Sequence, residues 1–206
     1  MSVIIDMKPL IPGSLSCWIT HPGTVPVSGF ELTQYARQGI AFIQEPAQES
    51  LFKSKTRPNC VTAFTIDGFS IIITTNLKGY PNPHQDSFQI SIPVHRSVIT
   101  ALKACMAASQ DGQNRKHKYL AKCSEIIAVN ILFNKAEADG RPFIVTDTTL
   151  IVTVRNDKGK QMDIRAPCGK LGERPINDWG WGCFQFLQAL KFEGKHIIEV
   201  LEENNE

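Results

Sequence analysis

The side chains able to do covalent or metal chemistry are thinly spread along this 206-residue chain. Its six cysteines stand at 17, 60, 105, 123, 168 and 183, and its five histidines are also dispersed. No two cysteines form a C-x-x-C pair, so no close ligand pair starts a tetrahedral zinc site, and reduced, mostly buried thiols are expected. Cys17 and His21 are four residues apart, but Pro12 precedes them and Pro22 follows, which argues against a helical ligand pair. Cys168, between Pro167 and Gly169, becomes a nucleophile only if the fold brings one of the five histidines to it. Asp157, Asp163 and Asp178 sit in or beside turns, where aspartate ordinarily bonds the backbone. There is no Walker loop and no G-x-G-x-x-G. On these grounds no catalytic residue, metal or cofactor is expected.

The cations fall in a more informative pattern. Lys53, Lys55 and Arg57 precede a predicted hairpin. Arg115, Lys116, His117 and Lys118 fill a predicted loop, and Arg155, Lys158, Lys160 and Arg165 surround a second hairpin turn, with Lys170 and Arg174 beyond it. Phe52, Phe69 and Tyr119 lie near these groups. Cations at strand ends neutralise phosphates, and aromatic faces stack on unpaired bases at about 1–3 kcal/mol per base. The same cations also suit a solvated loop rim.

The elements that must position these groups follow from periodicity and turn residues. Residues 1–38 hold many prolines and read as an extended arm with one short strand at 16–20 and a helical turn at 30–38. Residues 40–44 read as a strand. Residues 60–66 and 69–75, rich in β-branched side chains, flank Asp67-Gly68 and predict a hairpin with a two-residue turn. A strand at 87–92 leads to Val94, Val98, Ile99, Leu102, Cys105 and Met106, whose spacing is that of one helical face. Residues 122–133 and 143–154 read as long strands, 160–165 as a returning strand, 179–192 as a buried helix, and 197–201 as further helix. The fold class expected is α+β, with antiparallel sheets and two helices in one domain. Its strands-then-helix order repeats in residues 39–110 and 111–201, which suggests an internal duplication, before an acidic tail at 202–206.

A hydrophobic fraction of 42% and a charged fraction of 20% are those of a globular protein able to bury a core. The net charge of +2 demands no polyanionic partner, so any nucleic-acid surface must arise from local clustering. No run approaches the length of a bilayer span, and the first residues resemble no signal or transit peptide, so no membrane partner and an intracellular location are expected.

The run from Ile151 to Arg165 resembles the hairpin of the positive-cofactor-type transcriptional coactivators, which bind single-stranded DNA. Val152, Val154 and Arg155 match the first strand of that pattern, Lys158-Gly159-Lys160 its turn, and Asp163-Ile164-Arg165 its returning strand. The resemblance implies that Lys158, Lys160 and Arg165 face nucleic acid. Asp157 stands where the family often has a stacking aromatic, and one residue is missing between Lys160 and Asp163. The element order also resembles that of the Whirly-type and mitochondrial guide-RNA-binding folds, often found as oligomers. The expectation is therefore a non-enzymatic single-stranded DNA or RNA binder, as a homo-oligomer. Its phosphate contacts would be Arg155, Lys158, Lys160, Arg165, Lys53, Lys55, Arg57, Arg115, Lys116 and Lys118. Two rivals are a structural or interaction protein of viral-assembly or inhibitor type, and a small hydrolase or transferase in which Cys168 or one of His21, His84 and His95 meets a second titratable group in a pocket.

Overall fold

The computed structural model describes residues 7–11, 14–52, 57–77, 94–108, 122–156, 162–169 and 181–199. Seven strands form one mixed sheet between helices. In chain order the elements are β1 (Lys8–Ile11), β2 (Ser14–Thr20), α1 (Gly29–Gln44), a 3-10 turn (Pro46–Leu51), β3 (Cys60–Thr65) and β4 (Ser70–Thr75). Then follow α2 (Arg96–Ala107), α3 (Ser124–Ala138), β5 (Leu150–Arg155), β6 (Asp163–Ile164), α4 (Cys183–Ala189) and β7 (Ile197–Ile198). The sheet order is β1-β2-β4-β3-β5-β6, and β7 also pairs with β5. Every pairing is antiparallel except β5 with β7. The α+β class is as the sequence implies.

Alternation along the strands assigns each side chain to one of two cores. Val61, Ala63, Ile71, Ile73, Val152 and Val154 face α1, packing on Leu32, Ala36, Ile40 and Ile43. Phe64, Ile72 and Ile151 face the other way, into a core built with α2, α3 and α4. The polar members of that second face, Thr62, Thr74 and Thr153, cluster beneath the start of α3.

Several elements differ from expectation, each for a physical reason. Residues 30–38 and 40–44 belong to one helix, α1, opened by a Ser28–Glu31 capping box (Glu31 N to Ser28 Oγ 3.2 Å, Ser28 N to Glu31 Oε2 2.9 Å) and closed before Pro46. Gly39 reads as a stop but sits mid-helix, where a Cβ would lie 2.9 Å from Val61 Cγ1 and 3.0 Å from Ile73 Cγ2. The supposed arm at 1–38 thus supplies β1, β2 and half of α1 among its described residues.

Most of residues 122–133, expected as strand, lie in the helix α3. Its β-branched run imitates a buried strand, but a helix apolar on nearly every side is stable when sheet and helices enclose it. Of the long strand expected at 143–154, only Leu150–Arg155 is strand. Residues 197–198 are strand β7 rather than helix. There are four helices among the described residues instead of two, and α3 stands between the two hairpins that a duplication would relate.

The β3–β4 hairpin is present, with a longer turn than the two residues expected. Asp67 Oδ1 accepts from Phe69 N (2.8 Å) and Ser70 N (2.6 Å), and only Gly68 takes a positive φ, of 80°. The expected strand at 87–92 lies outside the described residues. Among the described residues no helix is long and apolar enough to cross a membrane.

Candidate metal and acid–base site

Three cysteines far apart in sequence meet above one end of the sheet. Cys123 caps the N-terminus of α3, Cys168 lies in the loop after β6, and Cys183 is the first residue of α4. Their sulfurs all lie within 4.8 Å of one another, and Cys123 Sγ is 3.8 Å from Cys168 Sγ. Zinc–thiolate bonds of about 2.3 Å at a tetrahedral angle require sulfurs about 3.8 Å apart, whereas a disulfide needs about 2 Å. None of the six cysteines forms a disulfide. The donor set and the 3.8 Å edge therefore fit a zinc ion held by three thiolates.

The loop around Cys168 is locked onto the start of α4. Cys183 N donates to Cys168 Sγ (3.2 Å), and Phe184 N donates to the Cys168 carbonyl (3.0 Å). Gln185 ties both sides together: Gly182 N donates to its Oε1 (2.9 Å) and its Nε2 donates to the Gly169 carbonyl (2.7 Å). Two glycines permit this approach. Gly169 has φ of 90°, and a Cβ on Gly182 would collide with the Cys168 carbonyl and come within 2.9 Å of its sulfur.

Glu125, two residues after Cys123, points into the same space. It is 5% exposed, and its Oε2 lies 3.9 Å from Cys183 Sγ. Burial first, and then the charge of Cys168, push its carboxyl up to about 7. Burial and the neighbouring Cys123 and Cys168 groups likewise hold the Cys183 thiol well above the usual thiol range. Three ionised thiols cannot share so small a dry volume without a cation among them.

Buried hydroxyls support the carboxyl from below. Thr62 Oγ1 donates to Ser124 Oγ (2.7 Å) and is 2.7 Å from Thr153 Oγ1; Ser124 Oγ reaches Glu125 Oε2 at 3.5 Å, and the Thr153 hydroxyl helps to favour the ionised carboxyl. Thr74 Oγ1 donates to the Ser124 carbonyl (2.9 Å), fixing the first turn of α3 to β4. Thr153, Thr62 and Ser124 thus form one circuit of hydroxyls that ends at Glu125 Oε2.

No family model, curated protein or solved structure matches this chain. Its chemistry has to be read from its own geometry.

Of the predicted phosphate contacts, Arg57, Arg155 and Arg165 are described, and the structure gathers them at one end of the sheet. Arg155 ends β5, paired with Cys60 and with Asp163. Arg57 lies three residues before Cys60 and meets Glu49 at 3.5 Å. Arg165 follows β6, its N–H donating to the Thr153 carbonyl at 2.8 Å and its Nη2 lying 3.4 Å from Asp163 Oδ2. This is the end that carries Glu125. Lys53, Lys55, Arg115, Lys116, Lys118, Lys158 and Lys160 lie outside the described residues, as do Tyr119, Asp157, Asp178 and His84. Two expected stacking aromatics are excluded from this end: Phe52 is buried against α1, and Phe69 belongs to the β3–β4 turn at the opposite end.

The two candidate histidines among the described residues stand elsewhere. His21 Nδ1 is 3.3 Å from Tyr35 Oη, and His95 caps α2. Among the described residues Cys168 meets the thiols of Cys123 and Cys183. All six thiols are free, as expected, and three of them meet although no two are close in sequence. The one local signal was Cys123-Ser124-Glu125, a thiol and a carboxyl two apart at the start of what proves to be a helix.

Proposed function

We propose that this chain is a zinc-dependent hydrolase that removes the amino group from an amine-bearing nucleobase. The observation that carries this reading is the meeting of Cys123, Cys168 and Cys183 beside the buried Glu125. Zinc deaminases pair a C/H-x-E turn and a later P-C…C pair with one catalytic glutamate that is not a ligand. The corresponding residues here are Cys123-Ser-Glu125, Pro167-Cys168 and Cys183, with fourteen residues between the last two cysteines where the usual spacing is two.

When bound, zinc supplies a Lewis acid and a water acidified to near neutral pH. The chain's own residues supply the rest. Three protein ligands leave a fourth position open, which is the pattern of a catalytic site and not of a closed structural one. Glu125, buried beside the three thiols, is placed to take and give a proton there. It accepts a proton from the attacking water and delivers it to a ring nitrogen. It then carries the second proton to the departing amine. Water's oxygen stays on the ring carbon, the C–N bond breaks, and ammonia leaves with Glu125 returned to its first state. The hydroxyls of Thr153 and Ser124 hold the carboxyl in place throughout.

Metal content and ammonia release test this together. The purified protein should hold about one zinc per chain, lost in Cys123→Ala, Cys168→Ala and Cys183→Ala, as the three-ligand donor set requires. Glu125→Gln should keep the zinc and lower ammonia release from cytosine- or adenine-bearing substrates by about 10²–10⁴-fold. Zinc binding without ammonia release from any such substrate would leave a metal site and overturn the deaminase reading. A protein that takes up no zinc with all three cysteines reduced would overturn both.

A further inference from the structure

We propose that the reacting base carries a phosphate, and that Arg155 and Arg165 hold it at the mouth of the thiol–carboxyl site. The identity of the base rests on the deaminase reading, whereas the phosphate contact rests on the sheet register. Thr153, whose hydroxyl is joined through Thr62 and Ser124 to Glu125, is the reference point. Arg165 lies directly across from it: the register pairs Val154 with Ile164 and Arg155 with Asp163, and Arg165 N continues it onto the Thr153 carbonyl. Cross-strand neighbours share a face with their Cβ atoms about 5 Å apart. Arg155 is two residues along β5 from Thr153, so it shares that face about 7 Å away. Both side chains therefore start beside the hydroxyl that positions the acid–base group.

Charge explains why cations belong there. Three thiolates around a divalent cation leave one net negative charge, and an ionised Glu125 adds another. An anionic substrate would be repelled from such a centre unless cations stood at its entrance, while a neutral base would need none. Guanidinium also matches phosphate oxygens in a bidentate fork. The Arg165–Asp163 pair is long, at 3.4 Å, and about half exposed (43% and 50%), so it exchanges for a phosphate at small cost. Arg57, paired with the exposed Glu49, adds a third cation at the same end.

The phosphate could belong to a free 5′-mononucleotide or to a single strand, and equilibrium binding separates them. Zinc-loaded Glu125→Gln protein, which holds substrate without turnover, is titrated with a fluorescein-labelled short single strand. Cytidine, adenosine, their 5′-monophosphates and unlabelled strand serve as competitors. The expected result is competition by phosphate-bearing species at least about tenfold better than by nucleosides. Adding Arg155→Gln and Arg165→Gln should weaken binding by about 10–100-fold and lower the salt slope by about 0.7 for each phosphate no longer neutralised. Zinc content and melting temperature should stay unchanged. Competition by mononucleotide equal to that by strand assigns a free nucleotide, and competition by strand alone assigns a single-stranded substrate. Nucleosides competing as well as nucleotides, an arginine variant that binds like its parent, or no binding at all would each overturn the proposal. Failure of the deaminase reading registers separately, as wild-type protein that binds these ligands and releases no ammonia.

Discussion

Replacing Thr62 by valine probes whether the hydroxyls beneath Glu125 work as a unit. Thr62 is fully buried, and its hydroxyl touches Ser124 Oγ and Thr153 Oγ1, both at 2.7 Å. Valine keeps the shape and removes both bonds. Each is worth about 1 kcal/mol net, and a buried hydroxyl left short of a partner costs about 1–3 kcal/mol more. The methyl that replaces the hydroxyl returns about 0.8 kcal/mol of apolar burial. The balance is a loss of about 2–4 kcal/mol, or about 4–16 °C in melting temperature for a chain of this size. Urea denaturation of the metal-free protein measures it, with Thr62→Ser as the control that keeps the hydroxyl. Thr153→Val in the same background should be non-additive by about 1 kcal/mol, because the two residues share one bond. A Thr62→Val change below about 0.5 kcal/mol, or additive double-mutant energies, would refute the circuit.

Two further perturbations address the loops and the turn. Gly182→Ala places a methyl against the Cys168 carbonyl and sulfur, so it should destabilise the protein by about 1–3 kcal/mol and lower zinc content per chain, read by thermal melt and elemental analysis. Asp67 governs an acid limb of stability. Burial raises its carboxyl, but hydrogen bonds from Ser70 and Phe69 outweigh that and leave it below the usual carboxylate range. A group depressed in the folded state contributes stability that is present above its unfolded pKa, about 3.9, and lost as pH falls through the folded value. Asp67→Asn should therefore flatten the pH dependence of urea stability below about pH 4, and an unchanged acid limb would rule the residue out.

What was legible in the sequence was what is local. The β3–β4 hairpin declares itself through β-branched strands on either side of Asp67-Gly68, and α2 through Val98, Leu102 and Cys105 on one face. The β5–β6 pairing was also readable but its register was not: a returning strand from 160 was expected, whereas Arg155 pairs with Asp163 and Val154 with Ile164. α3 was hidden because Ile126, Ile127, Val129, Ile131 and Leu132 carry strand-like side chains, and the enclosure that makes them helical comes from elements distant in sequence. The thiol site was hidden for a similar reason. Its three ligands are separated by 45 and 15 positions, and only the meeting of the Cys168 loop with the start of α4 brings them together.

Strand β5 has a position that no other strand shares. It pairs with β3 along six residues on one edge, its other edge is divided between β7 and β6, and both of its faces are buried. Amides so enclosed exchange with solvent only when the whole unit opens, whereas loops beyond a two-residue strand open locally at far lower cost. Thr153 and Arg155 belong to the first class, and Arg165 and Cys168 to the second. The site would then come apart from its loop side, and β5, still carrying Thr153 beneath Glu125, would remain as the template on which the thiols reassemble.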